Sequence, residues 1–169
     1  MQVFLPYPDF KTSLESLDNK RLGKQRVETY QLIAGLEGRP TLTGKPYSKG
    51  RINHPISQMF RDNIPALKHY LNVSIDVWVA RGKNNTMQKE VIDEEIIMPT
   101  WFGDDDFHKS HRANLLRKDA DYYGAHGWND DPTLPYRWYD MNKKQWYDQT
   151  AGTKEKIYLN KYIFYLKYT

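Results

Sequence analysis

Apolar positions recur at helical spacing through most of the first 118 residues and lose that spacing afterwards. Residues 3–10 (VFLPYPDF) hold two prolines, which exclude a regular helix and predict an extended start. Thr12 or Ser13 is placed to cap a first helix, with Glu15 at the capping-box offset from Thr12 and Leu14 and Leu17 on one apolar side. Asp18 and Asn19 recap or bend the chain ahead of a second helix over 20–36, whose buried stripe is Leu22, Thr29, Leu32, Ile33 and Leu36 and whose end is set by Gly38 and Pro40. A loop rich in Gly, Lys and Pro follows over 40–52. Pro55 then opens a helix capped by Asn53 or His54, and Pro65 interrupts it with Asp62 or Asn63 as the new cap. Leu67, Leu71, Ser74 and Trp78 mark the longest helix, which Gly82 ends. The pattern further predicts a short acidic helix over 87–97, a helix over 107–118 capped by Asp106, and a turn beginning at Asp119 or Ala120. Residues 124–148, dense in Trp, Tyr, Asp, Asn and Pro, read as a long ordered loop. Residues 157–168 read as a short strand or a closing helix. These elements describe one mostly helical domain over 1–169.

Composition narrows the chemistry. The chain has no Cys, which excludes a disulfide framework, a thiolate nucleophile and a sulfur-built zinc site, and fits a reducing, cytoplasmic setting. No apolar run is long enough for a membrane span and no signal peptide is visible, so no membrane partner is expected. The net charge of +4 favours polyanions only mildly, but the charge is segregated. Residues 11–51 hold nine Lys or Arg against four acids, residues 87–106 one against seven, and residues 107–118 four against none. Segregation lets one face gather a polyanion while the total stays modest, which points to nucleic acid or a nucleotide.

The densest stretch is 17–28 (LDNKRLGKQRVE), where Lys20, Arg21, Lys24, Gln25 and Arg26 surround Glu28. On a helix, Arg21, Lys24 or Gln25, and Glu28 share one edge, so the carboxylate sits among phosphate-binding side chains. That setting suits holding an ammonium or iminium better than donating a proton; the bland alternative is a surface ion pair. The second cluster, 108–118, offers His111, Arg112, Asn114 and Lys118 as phosphate contacts, and the two clusters read as walls of one basic cleft. His108 and His111 lie three apart, but no third ligand is apparent, and neither metal nor cofactor is expected. Arg51 and His54 stand near a helix start that could seat a phosphate. Seven rings, Trp101, Tyr122, Tyr123, Trp128, Tyr136, Trp138 and Tyr139, are available for stacking; most are expected to fill gaps where loops pack on the helical body, with Trp101 the exception because the basic helix follows it. No phosphate loop, nucleophile elbow, kinase signature or zinc deaminase motif is present. The function classes that remain are a nucleic-acid-processing enzyme, a nucleotide- or nucleoside-processing enzyme, and a non-catalytic nucleic-acid-binding protein.

The opening MQVFLPYPDF, the 17–28 stretch, Asn53-His54-Pro55 and residues 110–119 (SHRANLLRKD) resemble small bacterial and phage proteins described as pyrimidine dimer DNA glycosylases, endonuclease V-like. The likeness covers most of 1–138. To the phage pyrimidine-dimer glycosylase itself it rests on helix order, on Leu17, Leu22 and Glu28, and on Tyr122-Tyr123-Gly124 late in the chain. The resemblance implies a compact all-α fold, here with an aromatic-rich ordered C-terminal segment. It implies a monomer in the cytoplasm of a bacterium or phage-infected host, binding duplex DNA that holds a damaged or modified base. It also implies glycosylase and AP-lyase chemistry, in which an N-terminal α-amine forms an imine with C1′ of the sugar and Glu28 serves as the essential glutamate. Val27 stands where the family has an arginine, with Arg26 adjacent. Gln at position 2 is too large for usual removal of the initiator residue, so the amine would be that of Met1.

Overall fold

The computed structural model describes residues 2–159. Its helices are α1 (Phe10–Glu15), α2 (Asn19–Leu36), α3 (Lys49–Ile52), α4 (Pro55–Phe60), α5 (Ile64–Ala80), α6 (Asp105–Lys118) and α7 (Ala120–Gly124). Strands β1 (Tyr136–Asp140), β2 (Gln145–Gln149) and β3 (Ile157–Tyr158) form an antiparallel sheet in the order β1-β2-β3. The all-α expectation is thus corrected to a helical region followed by a small sheet.

Five of the seven described helices start where a polar side chain takes up a free backbone N–H group, whereas Ser48 and Asn63 stand at the starts of α3 and α5 without a side-chain capping bond. Asp9 rather than Thr12 or Ser13 caps α1, accepting from Thr12 N–H at 2.6 Å. Asp18 caps α2 through Arg21 N–H at 2.9 Å, and His54 caps α4. Asp104, two residues ahead of the expected Asp106, caps α6 through Phe107 N–H at 2.8 Å. The first turn of α6 then carries Asp105 and Asp106 and its last turn Arg117 and Lys118, a charge order that complements the helix dipole.

The core lies between α2 and α5, lined by Leu22, Leu32 and Ile33 from one and Leu67, Tyr70 and Leu71 from the other. Burying each of these aliphatic side chains contributes about 1.5–3 kcal/mol. The two helices pass closely at Gly23, where a Cβ would stand 3.3 Å from the Trp78 ring.

The expected helix over 87–97 does not form. Asn72 of α5 bonds both backbone groups of Glu90, accepting from its N–H at 2.8 Å and donating to its carbonyl at 2.9 Å, which holds the segment extended. Arg39 adds an ion pair to Glu90 at 2.9 Å. The apolar side chains there have no common face to bury: Val91 and Ile97 are exposed.

Residues 124–148 are not one loop, because β1 and β2 arise within them. Trp138 pairs with Tyr147 across the hairpin, both buried, and Arg137 pairs with Asp148 at 2.9 Å. Asp140 closes the turn by accepting from the N–H groups of Asn142 and Lys143, each at 3.0 Å. β1 packs on α4 and α6. Of the expected tail element, β3 is a strand and residues 160–168 lie outside the described residues.

Candidate functional site

Among the described residues no strand pairs with the extended segment at residues 2–6, and its backbone groups find other partners. They find side chains. Gln2 N–H donates to Glu28 Oε2 at 3.1 Å, Val3 N–H to the Gln2 side-chain oxygen at 3.0 Å, Phe4 N–H to Gln25 Oε1 at 2.9 Å, and Leu5 N–H to His111 Nδ1 at 3.0 Å. In return the carbonyl of Gln2 accepts from Gln25 Nε2 at 2.8 Å, that of Phe4 from the Tyr70 hydroxyl at 2.9 Å, that of Leu5 from His108 Nδ1 at 2.8 Å, and that of Pro6 from Arg112 at 2.8 Å. Residues from α2, α5 and α6 thus clamp the N-terminal segment, with Val3 and Leu5 fully buried. His108 Nε2 accepts from Gly103 N–H at 3.2 Å, which puts the ring proton on Nδ1, whereas His111 accepts at Nδ1 and carries its proton on Nε2. Burial lowers the pKa of both, that of His111 strongly.

This clamp revises several sequence assignments. Gln25, 1% exposed, reaches the edge of the cleft described below, but all its polar atoms are spent on the clamp and on the Tyr70 hydroxyl at 2.8 Å. His111 is 0% exposed and binds Leu5, not phosphate. Arg112 holds Asp130 through two bonds, at 2.6 and 3.0 Å, besides its bond to Pro6. Asn114, 1% exposed, bonds the Ser110 carbonyl at 2.7 Å and accepts from Arg117. Trp101, 3% exposed, donates to the Met59 carbonyl at 2.9 Å and packs edge-on against Phe60, so no base can stack on it. Arg26 lies over the Trp78 ring at 4.1 Å and bonds Asn85 at 2.7 Å, while Arg51 bonds Gln31 and lies over Tyr47. Neither lines the cleft.

The remaining assigned residues converge. A cleft of about 620 Å³ is lined by Glu28, Lys20, Arg21 and Lys24 from α2, Lys118 from the end of α6, and His54 from the start of α4. Lys20, Lys24 and Glu28 follow at intervals of four along one face of α2. Arg21 is tied to Asp18, whose carboxylate also accepts from the Tyr123 hydroxyl at 2.7 Å. Partial burial, followed by the positive charges of Arg21, Arg117 and Lys24, lowers the pKa of Lys118. Burial pushes the His54 imidazole down to about 4, so it is neutral at pH 7 and cannot serve as a phosphate cation. At the α4 start, Ile56 N–H donates to His54 Nδ1 at 3.3 Å.

Other walls of the cleft come from residues not assigned to it from sequence: Gln2 and Phe4, and the turn at 149–153 with Gly152 at φ 86°. Tyr136 and Trp138 of β1, noted in sequence only as rings among seven, also line it. Tyr70, which completes the clamp, carried a signal in sequence: a hydroxyl on the apolar stripe of α5 requires a buried partner. Met1, the assigned nucleophile, lies outside the described residues. Among the described residues no group of three or more His, Asp or Glu is placed to hold a metal ion, and no helix is long and apolar enough to cross a membrane.

No curated protein and no solved structure matches the chain. A family model described as pyrimidine dimer DNA glycosylase matches residues 1–91. That match spans the clamped N-terminal segment, α1 through α5, Glu28 and His54, and ends before α6 and the sheet. Because it covers more than half of the 169 residues, the chain belongs to the pyrimidine dimer DNA glycosylase family.

Proposed function

We propose that the cleft binds duplex DNA at a damaged or modified base, and that the protein removes the base and then opens the strand as an AP lyase. The observation that carries this reading is the bond from Gln2 N–H to Glu28 Oε2 at 3.1 Å, which puts the amide following Met1 beside a carboxylate in a cation-lined cleft. An α-amine titrates at about 7.7–8.0, so part of it is unprotonated at neutral pH without special activation. Its lone pair attacks C1′ of the sugar, and the bond from C1′ to the base breaks with the electron pair leaving on the base. The C1′–O4′ bond then opens as O4′ takes a proton, which leaves an iminium linking protein and sugar. Loss of a C2′ proton expels the 3′ phosphate by β-elimination. Glu28 assists ring opening and holds the cationic iminium, while Lys20, Arg21, Lys24 and Lys118 hold flanking phosphates.

Borohydride reduction in the presence of duplex DNA bearing an abasic site tests this. The expected result is a covalent protein–DNA complex whose peptide map places the link at Met1, and a Glu28→Gln variant that keeps DNA affinity but loses turnover. A link at Lys20 or Lys24 would keep the reaction class and overturn the nucleophile. Tight DNA binding with no trapped complex would overturn the lyase reading.

A further inference from the structure

The cleft carries two chemistries on different elements. α2 and the end of α6 supply its cations, whereas α4 and β1 supply His54, Pro55, Tyr136 and Trp138, none of them charged at neutral pH. The His54 ring stands edge-on to Trp138 with centroids 6.0 Å apart, and Tyr136 stacks on Trp138 at 5.1 Å. Because His54 Nδ1 accepts the capping bond from Ile56 N–H, the ring proton sits on Nε2. That Nε2–H has no hydrogen-bond partner among the described residues, and the ring is only partly buried in the cleft wall. A neutral donor among aromatic rings does not match a phosphate, which the lysines across the cleft serve better. It matches an uncharged planar ring that carries an acceptor oxygen.

We infer that His54 is a specificity-determining residue whose Nε2–H donates a hydrogen bond to a keto oxygen of a pyrimidine base held against the α4 and β1 side of the cleft. The pyrimidine class follows from the family to which the chain belongs, and the inference rests on the DNA-glycosylase reading above. A site built to bond a keto oxygen discriminates against a ligand that lacks one, because the donor is then left without a partner. The burial that keeps His54 uncharged serves this role, since a cationic imidazole would draw phosphate into the base subsite.

The test compares thymidine 5′-monophosphate with 1,2-dideoxyribose 5-phosphate, which keeps the sugar ring and phosphate, lacks the base and has no aldehyde at C1′ to form an imine, by NMR titration of the whole chain. The wild-type protein is expected to bind the nucleotide about tenfold more tightly and to shift the His54 Nε2–H resonance with the nucleotide alone. His54→Asn retains a helix-capping side chain but is too short to reach the base. It is expected to bring the preference within about twofold while leaving the affinity for the dideoxyribose phosphate unchanged. His54→Phe, which keeps a ring without a donor, should behave the same way if it folds. A preference that survives both substitutions, or a wild-type protein with no preference, would overturn the assignment. Borohydride trapping on abasic DNA, which has no base to read, is run alongside. Trapping that fails in the wild type counts against the lyase reading, whereas trapping unaltered in His54→Asn together with lost nucleotide preference supports the base subsite.

Discussion

Replacing Gln25 by Ala isolates the clamp on the N-terminal segment. The Gln25 amide accepts from Phe4 N–H and the Tyr70 hydroxyl and donates to the Gln2 carbonyl, all in the buried core. Tyr70 retains the Phe4 carbonyl after the substitution. Phe4 N–H and the Gln2 carbonyl lose their partners, at about 1–3 kcal/mol each, and the shortened side chain leaves a cavity. The expected loss is therefore about 3–5 kcal/mol, a large share of an ordinary domain's 5–15 kcal/mol. Urea unfolding followed by tryptophan fluorescence measures it. The neighbouring Lys24→Ala removes an exposed side chain and should stay within about 0.5 kcal/mol while weakening DNA binding. Gln25→Glu sharpens the comparison. It keeps an acceptor for Phe4 N–H but sets a carboxylate against the Gln2 carbonyl, and only the protonated acid restores the donor. The folded state then binds the extra proton, so this variant should gain stability relative to wild type as pH falls from 7 to 5. A loss below about 1 kcal/mol for Gln25→Ala, at unchanged denaturant dependence, would refute the clamp as what holds the segment.

Three further outcomes follow from the same geometry. Arg112→Ala should destabilise by about 2–4 kcal/mol, because it leaves Asp130 and the Pro6 carbonyl without their partner, and should alter DNA affinity less than Lys118→Ala; the reverse order in a binding titration would return Arg112 to the DNA face. Lowering pH should weaken the fold before the carboxylates titrate: the folded pKa values of His54, His108 and His111 all lie below the unfolded value near 6.5, so the unfolded chain binds more protons as pH falls through 6.5 toward 4, with His54 alone worth about 3 kcal/mol over that window; a flat profile from pH 7 to 5 would contradict this. Lys24→Ala and Lys118→Ala should each reduce the salt dependence of duplex binding by about one counterion, and an unchanged slope would remove that side chain from the phosphate path.

Helical spacing carried much of this structure into the sequence. The period of Leu22, Thr29, Leu32 and Ile33 fixed the buried side of α2, and that orientation left Lys20, Lys24 and Glu28 on the cleft side together. The acidic segment at 87–97 departs from its helical pattern because its conformation is set by Asn72, distant in sequence, and not by local spacing. The hairpin was obscured by its aromatic density, although Trp138 and Tyr147 alternate with more exposed neighbours as strand residues do. The charge clusters show a different kind of limit. Composition counts Gln25, His111 and Arg112 as nucleic-acid-binding types, and spacing cannot say whether such side chains face solvent or a neighbouring backbone.

The N-terminal segment's own backbone separates those cases. A segment with Pro6 and Pro8 cannot join a helix, and Val3, Phe4 and Leu5 are too apolar to remain in water. Its backbone N–H and carbonyl groups must then be satisfied in the interior by side chains, and the polar residues able to do so are those on the faces of α2, α5 and α6 that turn inward. Gln25, Tyr70, His108, His111 and Arg112 meet that demand, which engages their polar groups inside the protein. The basic cluster at 108–118 is therefore less a wall for the polyanion than a device that fixes the first residues of the chain. Its contribution to the cleft narrows to Lys118 at the helix end, while His108, His111 and Arg112 serve the clamp on the segment that carries Gln2 beside Glu28.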